Sequence, residues 1–183
     1  MAAVPPLCNF GWKALEFELP GVDGKRHRLE ELRGSKGTLI AFICNHCPYV
    51  KSVIGRLVRD AKDLQRLGVS TIAICANDSA SHPEDSFESM KVFAHQHDFG
   101  FPYLHDEAQE VARAYGAVCT PDFFGFNGKL ELQYRGRLDA SKVALIPDAR
   151  RDLHEAMTLV AETGEGPREQ IASMGCSIKW KAA

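Results

Sequence analysis

The sequence predicts a single α/β domain, and three observations carry that prediction. Two buried apolar runs, residues 38–43 and 69–76, flank a stretch in which Val50, Val53, Ile54, Leu57, Val58, Ala61 and Leu64 recur every third or fourth position. Strand, amphipathic helix, strand is a βαβ unit, which sets its two strands parallel. The second observation is a hairpin signal, Asn127-Gly128 between the apolar runs 122–126 and 130–135. The third is length, since 183 residues are enough for about one domain with a real core.

Each element can be justified in turn. Residues 1–13 read as a loosely held arm whose Leu7, Phe10 and Trp12 can pack onto the main domain, 14–163, with Cys8 as a small filler. Phe17 and Leu19 alternate with Glu16 and Glu18, Gly21 to Gly24 turns the chain, and a returning strand continues to Leu29. One helical turn over 29–32 ends before Gly34. Asn77 and Asp78 close the strand 69–76 at the edge where open α/β sheets build their sites, while Cys75 inside it reads as packing. Ser81-His-Pro-Glu84 has capping-box spacing and predicts a helix to about His97. His82, His95, His97 and His105 fall in or near it and read as solvated, because 95 and 97 point to different helical faces.

After residues 101–104, Asp106 caps a helix running to Tyr115, and Gly116 stops it. Arg135, Arg137 and Asp139 read as solvated, and Pro147 opens a last helix with Leu153, Ala156, Met157 and Val160 inward, ending at Gly164. The tail, 164–183, carries too many large apolar residues to stay in water and is expected to dock on the domain. Cys176 within it reads as packing, or as a third thiol near the site.

Composition excludes several function classes. A 45% hydrophobic, 25% charged chain with a formal charge of -2 has no electrostatic footprint for nucleic acid and no basic run for a membrane surface. Residues 1–10 lack a basic leader followed by a long apolar stretch, so the expected compartment is the cytoplasm. Six cysteines could make three disulfides, yet only Cys44 and Cys47 are close in sequence. A catalytic pair plus scattered thiols is the better accounting.

That pair, Cys44-Asn45-His46-Cys47, sits where a strand gives way to a helix opened by Pro48. A helix start offers unpaired N–H groups and the positive end of the macrodipole, which stabilise a thiolate and can lower a cysteine from about 8.5 into the range of roughly 3.5 to 7.5. The expected chemistry is dithiol–disulfide exchange, with Cys44 as the exposed attacking thiol and Cys47, one turn further in, as the shielded resolving thiol. Zinc is the rival for such a pair, but half of a zinc ribbon is missing, so no metal is expected.

These residues resemble the thioredoxin superfamily, and in particular its redoxin branch related to the peroxiredoxins. The resemblance rests on the strand-CxxC-helix unit, on Thr120-Pro121 placed where thioredoxins carry a cis-proline, on the Asn127-Gly128 turn, and on a leading hairpin over 14–25. It implies a thioredoxin-like fold, a central mixed sheet flanked by helices with an N-terminal hairpin. It also implies a substrate face shaped by Asn45, His46, Pro48, Thr120 and Pro121, on which an extended substrate pairs with the backbone beside the proline. Cys119 and Cys176 are possible additional thiols. No cofactor beyond the thiols is implied, and the partners would be protein or small thiols and disulfides plus a reductase or oxidant.

The chain departs from its relatives at telling places. The peroxiredoxin pattern Pro-x-x-x-Thr-x-x-Cys, set on Cys47, meets Ile40 and Cys44, so the ring and hydroxyl that shape a peroxide pocket are missing. Where thioredoxins bury an aspartate the chain has Thr38, and no carboxylate is evident to take a proton from Cys47. His46 resembles the histidine of oxidising Cys-Pro-His-Cys proteins and would favour the reduced form. The alternatives are a peroxiredoxin-like thiol peroxidase and a binding module that keeps the fold without catalysis.

Overall fold

The computed structural model describes residues 2–182. A short strand, β1 (Ala2–Ala3), comes first, and β2 (Glu18–Pro20) and β3 (Arg26–Arg28) pair as the antiparallel hairpin expected at the start of the main domain. A one-turn helix, α1 (Leu29–Leu32), leads to β4 (Gly37–Phe42), and α2 (Pro48–Gln65) returns the chain to β5 (Val69–Cys75), which lies parallel to β4. Next come α3 (Phe87–Gln96), β6 (Tyr103–His105), α4 (Glu110–Tyr115), β7 (Cys119–Thr120), β8 (Asp122–Asn127) and β9 (Leu132–Tyr134). The chain closes with α5 (Asp152–Thr163) and β10 (Gly175–Ser177).

Five strands form the central sheet in the order β6-β5-β4-β8-β9, parallel across β6, β5 and β4 and antiparallel beyond. β4 lies at its centre with every residue buried, and the pleat sorts its side chains. Leu39 and Ala41 join Val50, Ile54 and Leu57 of α2 and Leu153, Met157 and Val160 of α5 on one face. Ile40 and Phe42 join Leu29, Ala112, Tyr115 and Phe124 on the other. A residue such as Leu57, with no exposed surface, contributes about 2 to 5 kcal/mol against truncation to alanine.

A second sheet, β1-β10-β7, is made from the two chain ends and the strand before Pro121. Its register sets Cys176 opposite Thr120 on one side and Ala2 on the other. The tail beyond is fastened to the domain, since Ile178 is buried, Lys179 N–H donates to Asn77 Oδ1 at 2.9 Å, and Lys181 N–H donates to Gln109 Oε1 at 2.8 Å. Trp12 of the N-terminal segment packs edge-on against Tyr115, and Leu7 faces solvent.

Several expectations need correction. The helix predicted from Ser81 begins at Phe87 instead, capped by Ser86, because Ser81 turns back onto Asp78 and Pro83–Asp85 form a separate 3₁₀ turn. Pro147 lies in an exposed irregular segment, and α5 begins only at Asp152. Arg135 and Asp139 are not solvated: both are buried, Arg135 against Asp122 at 3.1 Å and Asp139 against Arg56 at 2.5 Å. Arg137 is half-buried and pairs with Asp152 at 2.7 Å. His105 is also buried, stacked on Phe87, and burial lowers its pKa. Asp106 does cap α4, accepting from Ala112 N–H at 2.8 Å.

Candidate active site

The site forms where three pieces of chain meet at the C-terminal edge of the parallel strands. The β4-to-α2 turn supplies Cys44 to Cys47, the segment after β5 supplies Asn77 and Asp85, and β7 supplies Cys119 and Thr120. Pro48 is the first residue of α2, where its missing N–H costs nothing, so Cys47 is the N-cap. The Thr120–Pro121 peptide is cis.

Thr120 touches both sulfurs of the pair. Its hydroxyl lies 3.2 Å from Cys44 Sγ, and its carbonyl lies 3.1 Å from Cys47 Sγ, which donates to it as a thiol. Asp85, fully buried, organises the turn between the cysteines. One oxygen accepts from the backbone N–H of Asn45 at 2.7 Å and of His46 at 3.3 Å; the other accepts from Asn77 Nδ2 at 2.7 Å and His46 Nδ1 at 2.6 Å. A carboxylate only accepts, so Nδ1 of His46 carries the proton. The His46 ring stacks on His82 with centroids 5.0 Å apart, and Tyr103 OH donates to Asn45 Oδ1 at 2.9 Å.

Both cysteines have 0% exposure, so the exposed status assigned to Cys44 is corrected: β7 and the Asp85 turn close over it. The electrostatics also favour Cys47 as the ionised sulfur. Its pKa is lowered first by the hydrogen bond from the Cys44 thiol and then by the N–H groups of Val50 and Cys176, against the opposing effect of burial. The Thr120 carbonyl alone favours the neutral thiol, and one acceptor is outweighed by these donors. Cys44 is pushed up by that same hydrogen bond, by burial and by the charge of Asp85. The helix start serves its N-cap, and that residue is Cys47.

The remaining predicted positions divide. Asn45 and His46 lie in the network, and Pro48 is exposed at the head of α2. Pro121 lines a cleft of about 240 Å³ with Tyr49, Phe123, Leu138 and Ile171, beside the cysteines. The edge of Thr120 expected to receive an extended substrate is already paired with β10. Cys119 is buried with its thiol directed at Pro121 O, 3.5 Å away, and burial raises its pKa. Cys75 is fully buried and pushed up to about 12. Cys176, half-buried, lies against Cys47.

Sequence reasoning missed Asp85, the carboxylate it found lacking near the pair. The signal was present in Asn77, at the strand edge where sites are built, but Asp85 read as part of a helical first turn. Cys44, His46 and Asp85 bring three atoms able to bind a cation within 4.8 Å of one another. His46 and Asp85 already share a 2.6 Å hydrogen bond through Nδ1.

Comparison with known proteins agrees with this architecture. Over its whole length the chain is 45% identical to an uncharacterized conserved protein from Geobacillus kaustophilus, 98% of which is covered, with a TM-score of 0.95. A hypothetical protein from Sinorhizobium meliloti 1021 is 35% identical over 98% of each chain, with a TM-score of 0.93. The peroxidoxin BcpB from Mycobacterium tuberculosis shares the fold, with a TM-score of 0.62 at 17% identity over 84% of this chain and 96% of that one. No curated protein sequence matches. Among the described residues no helix is long and apolar enough to cross a membrane. The model of the AhpC/TSA family matches residues 10–138, and with its thioredoxin-like fold and Cys44-x-x-Cys47 turn the chain belongs to that family, the redoxins.

Proposed function

We propose that this protein is a thiol–disulfide oxidoreductase that cycles between a Cys44/Cys47 dithiol and a Cys44–Cys47 disulfide, acting on protein or small-molecule disulfides and thiols in the cytoplasm. The observation that carries the reading is the pair of sulfurs bridged by Thr120, one of them at the N-cap of a long helix. Cys47 holds the negative charge and Cys44 holds the proton, so one electron-rich sulfur and one protonated sulfur lie side by side. When Cys47 is joined to a second sulfur it loses its charge, the cause that held the Cys44 proton weakens, and Cys44 attacks to close the internal disulfide. His46, whose Nδ1–H is held by Asp85, is the group in the turn to which we assign the tuning toward the reduced form. No cofactor other than these thiols is required.

The roles are therefore reversed from those that sequence suggests, with Cys47 as the ionised sulfur and Cys44 as the resolving one. The test is reduction of insulin disulfides with dithiothreitol as electron donor. Cys44→Ser and Cys47→Ser should each reduce turnover to background, and wild type oxidised by glutathione disulfide should contain a Cys44–Cys47 bond. Wild-type turnover by Cys47→Ser would refute the reading. A peroxidase reading would require hydrogen peroxide to oxidise the protein much faster than a disulfide does, and stopped-flow fluorescence distinguishes the two.

A further inference from the structure

Cys47 has two sulfur neighbours. Besides Cys44, Cys176 packs against the cluster that holds Cys47, although the residues are far apart in sequence, and its thiol and N–H are among the groups that lower Cys47. The cause is register: β10 pairs antiparallel with β7 so that Cys176 lies opposite Thr120, the residue that touches both sulfurs of the pair. The fit is close. A Cβ on Gly175 would collide with the Thr120 carbonyl, so only glycine lets the strand lie this near. Ser173 Oγ, donating to Pro121 O at 3.0 Å, fastens one side of the strand, and Lys179 N–H on Asn77 fastens the other.

Exposure separates the three sulfurs. Cys44 and Cys47 have none, whereas Cys176 is half-buried and reaches solvent. An external disulfide therefore meets Cys176 before either member of the pair.

We propose that Cys176 is a relay thiol that carries disulfide exchange between solvent and the buried Cys44/Cys47 pair through a Cys47–Cys176 disulfide. The inference rests on the dithiol reading above. In the oxidising direction, Cys176 attacks an external disulfide and its proton passes to the hydrogen-bonded Cys47 sulfur. A mixed disulfide forms on Cys176 and one outside thiolate leaves. Cys47 gives its proton to that thiolate and attacks the Cys176 sulfur. The Cys47–Cys176 bond forms and the second outside thiolate leaves. Cys44 then attacks Cys47, the Cys44–Cys47 bond forms, and Cys176 is released as a thiol after the Cys44 proton has passed on. In sum, one external disulfide becomes two thiols and two protein thiols become one disulfide. Burial and the neighbouring Cys47 sulfur push the Cys176 thiol up to about 11 against the weaker pull of Lys179, so it attacks only as its proton passes to Cys47.

The experiment uses the full chain, reduced, then mixed with one equivalent of oxidised glutathione, alkylated and mapped by mass spectrometry without reduction. Cys44→Ser should stop the relay midway and accumulate an intramolecular Cys47–Cys176 disulfide, with loss of the alkylatable Cys176 thiol. Cys176→Ser should slow formation of the Cys44–Cys47 bond while leaving the same end product. Cys44→Ala repeats the first measurement in case serine disturbs folding. If wild type forms Cys44–Cys47 but both Cys44 variants hold glutathione on Cys47 with Cys176 free, the relay is overturned and the dithiol reading stands. If wild type forms no Cys44–Cys47 bond but the variants form Cys47–Cys176, the relay thiol is supported and the dithiol reading falls. If neither bond forms, both fall.

Discussion

Asp85 and Asp122 flank the cysteine pair, both with 0% exposure, and they are held in opposite ways. Asp85 has no cation as its main partner: its oxygens are met by two backbone N–H groups of the cysteine turn, the amide of Asn77 and the ring of His46. Asp122 instead faces Arg135, whose guanidinium also lies over the Phe124 ring 4.3 Å away, and accepts a long bond from Val118 N–H. Asp122 Oδ1 and Arg135 Nε find no partner among the described residues. The carboxylate at the site is thus shared among four donors, three of which belong to the cysteine turn, so its position and theirs are set together. The carboxylate behind the cis-proline is balanced by a single charge 3.1 Å away, and its environment is only partly satisfied.

The comparison breaks most easily at Arg135. Arg135→Met should cost about 3 to 5 kcal/mol in urea unfolding, because it leaves a buried charge alone, and Asp122→Leu in the same chain should recover most of that loss. Equal midpoints for the single and double variants would show that the pair is not the source of the cost. The sign of the pH dependence follows. Burial raises the Asp122 pKa against the pull of Arg135, so its contribution to stability is full below the unfolded value, about 3.9, and is lost as pH rises through the folded value. Removing Arg135 deepens that loss, so the penalty relative to wild type should shrink from pH 7 toward pH ~4.

A smaller effect is expected at the other aspartate. Asp85→Asn exchanges an acceptor for a donor facing N–H groups and should cost about 1 to 3 kcal/mol in the same assay. Combined with Cys47→Ser it should also lower the pH at which Cys44 ionises, read by thiolate absorbance, since the Asp85 charge opposes that ionisation. An unmoved titration would separate Asp85 from the sulfur chemistry. The mildest change is His46→Ala, which leaves three of the four donors to Asp85 in place. Its reduction potential against glutathione should fall by less than about 30 mV, and a rise would reverse the role given to His46.

Much of this was legible because it is local. The apolar run into β4, the three-and-four spacing of α2 and the Asn127-Gly128 hairpin depend on neighbours a few residues apart, and the structure reproduces them. Ser81 misled because its side chain found Asp78 behind it before it could cap anything ahead. Arg135 and Asp139 misled because a charge in a sequence window carries no record of the opposite charge that another element will bring.

The chain by itself determined that two cysteines stand at a strand-to-helix turn, because hydrophobic periodicity and a proline at the helix start are properties of consecutive residues. Only tertiary structure decided which sulfur the surroundings favour as the charged one. That choice depends on where β7, the Asp85 turn and the C-terminal strand converge, and a field acts across space rather than along the backbone.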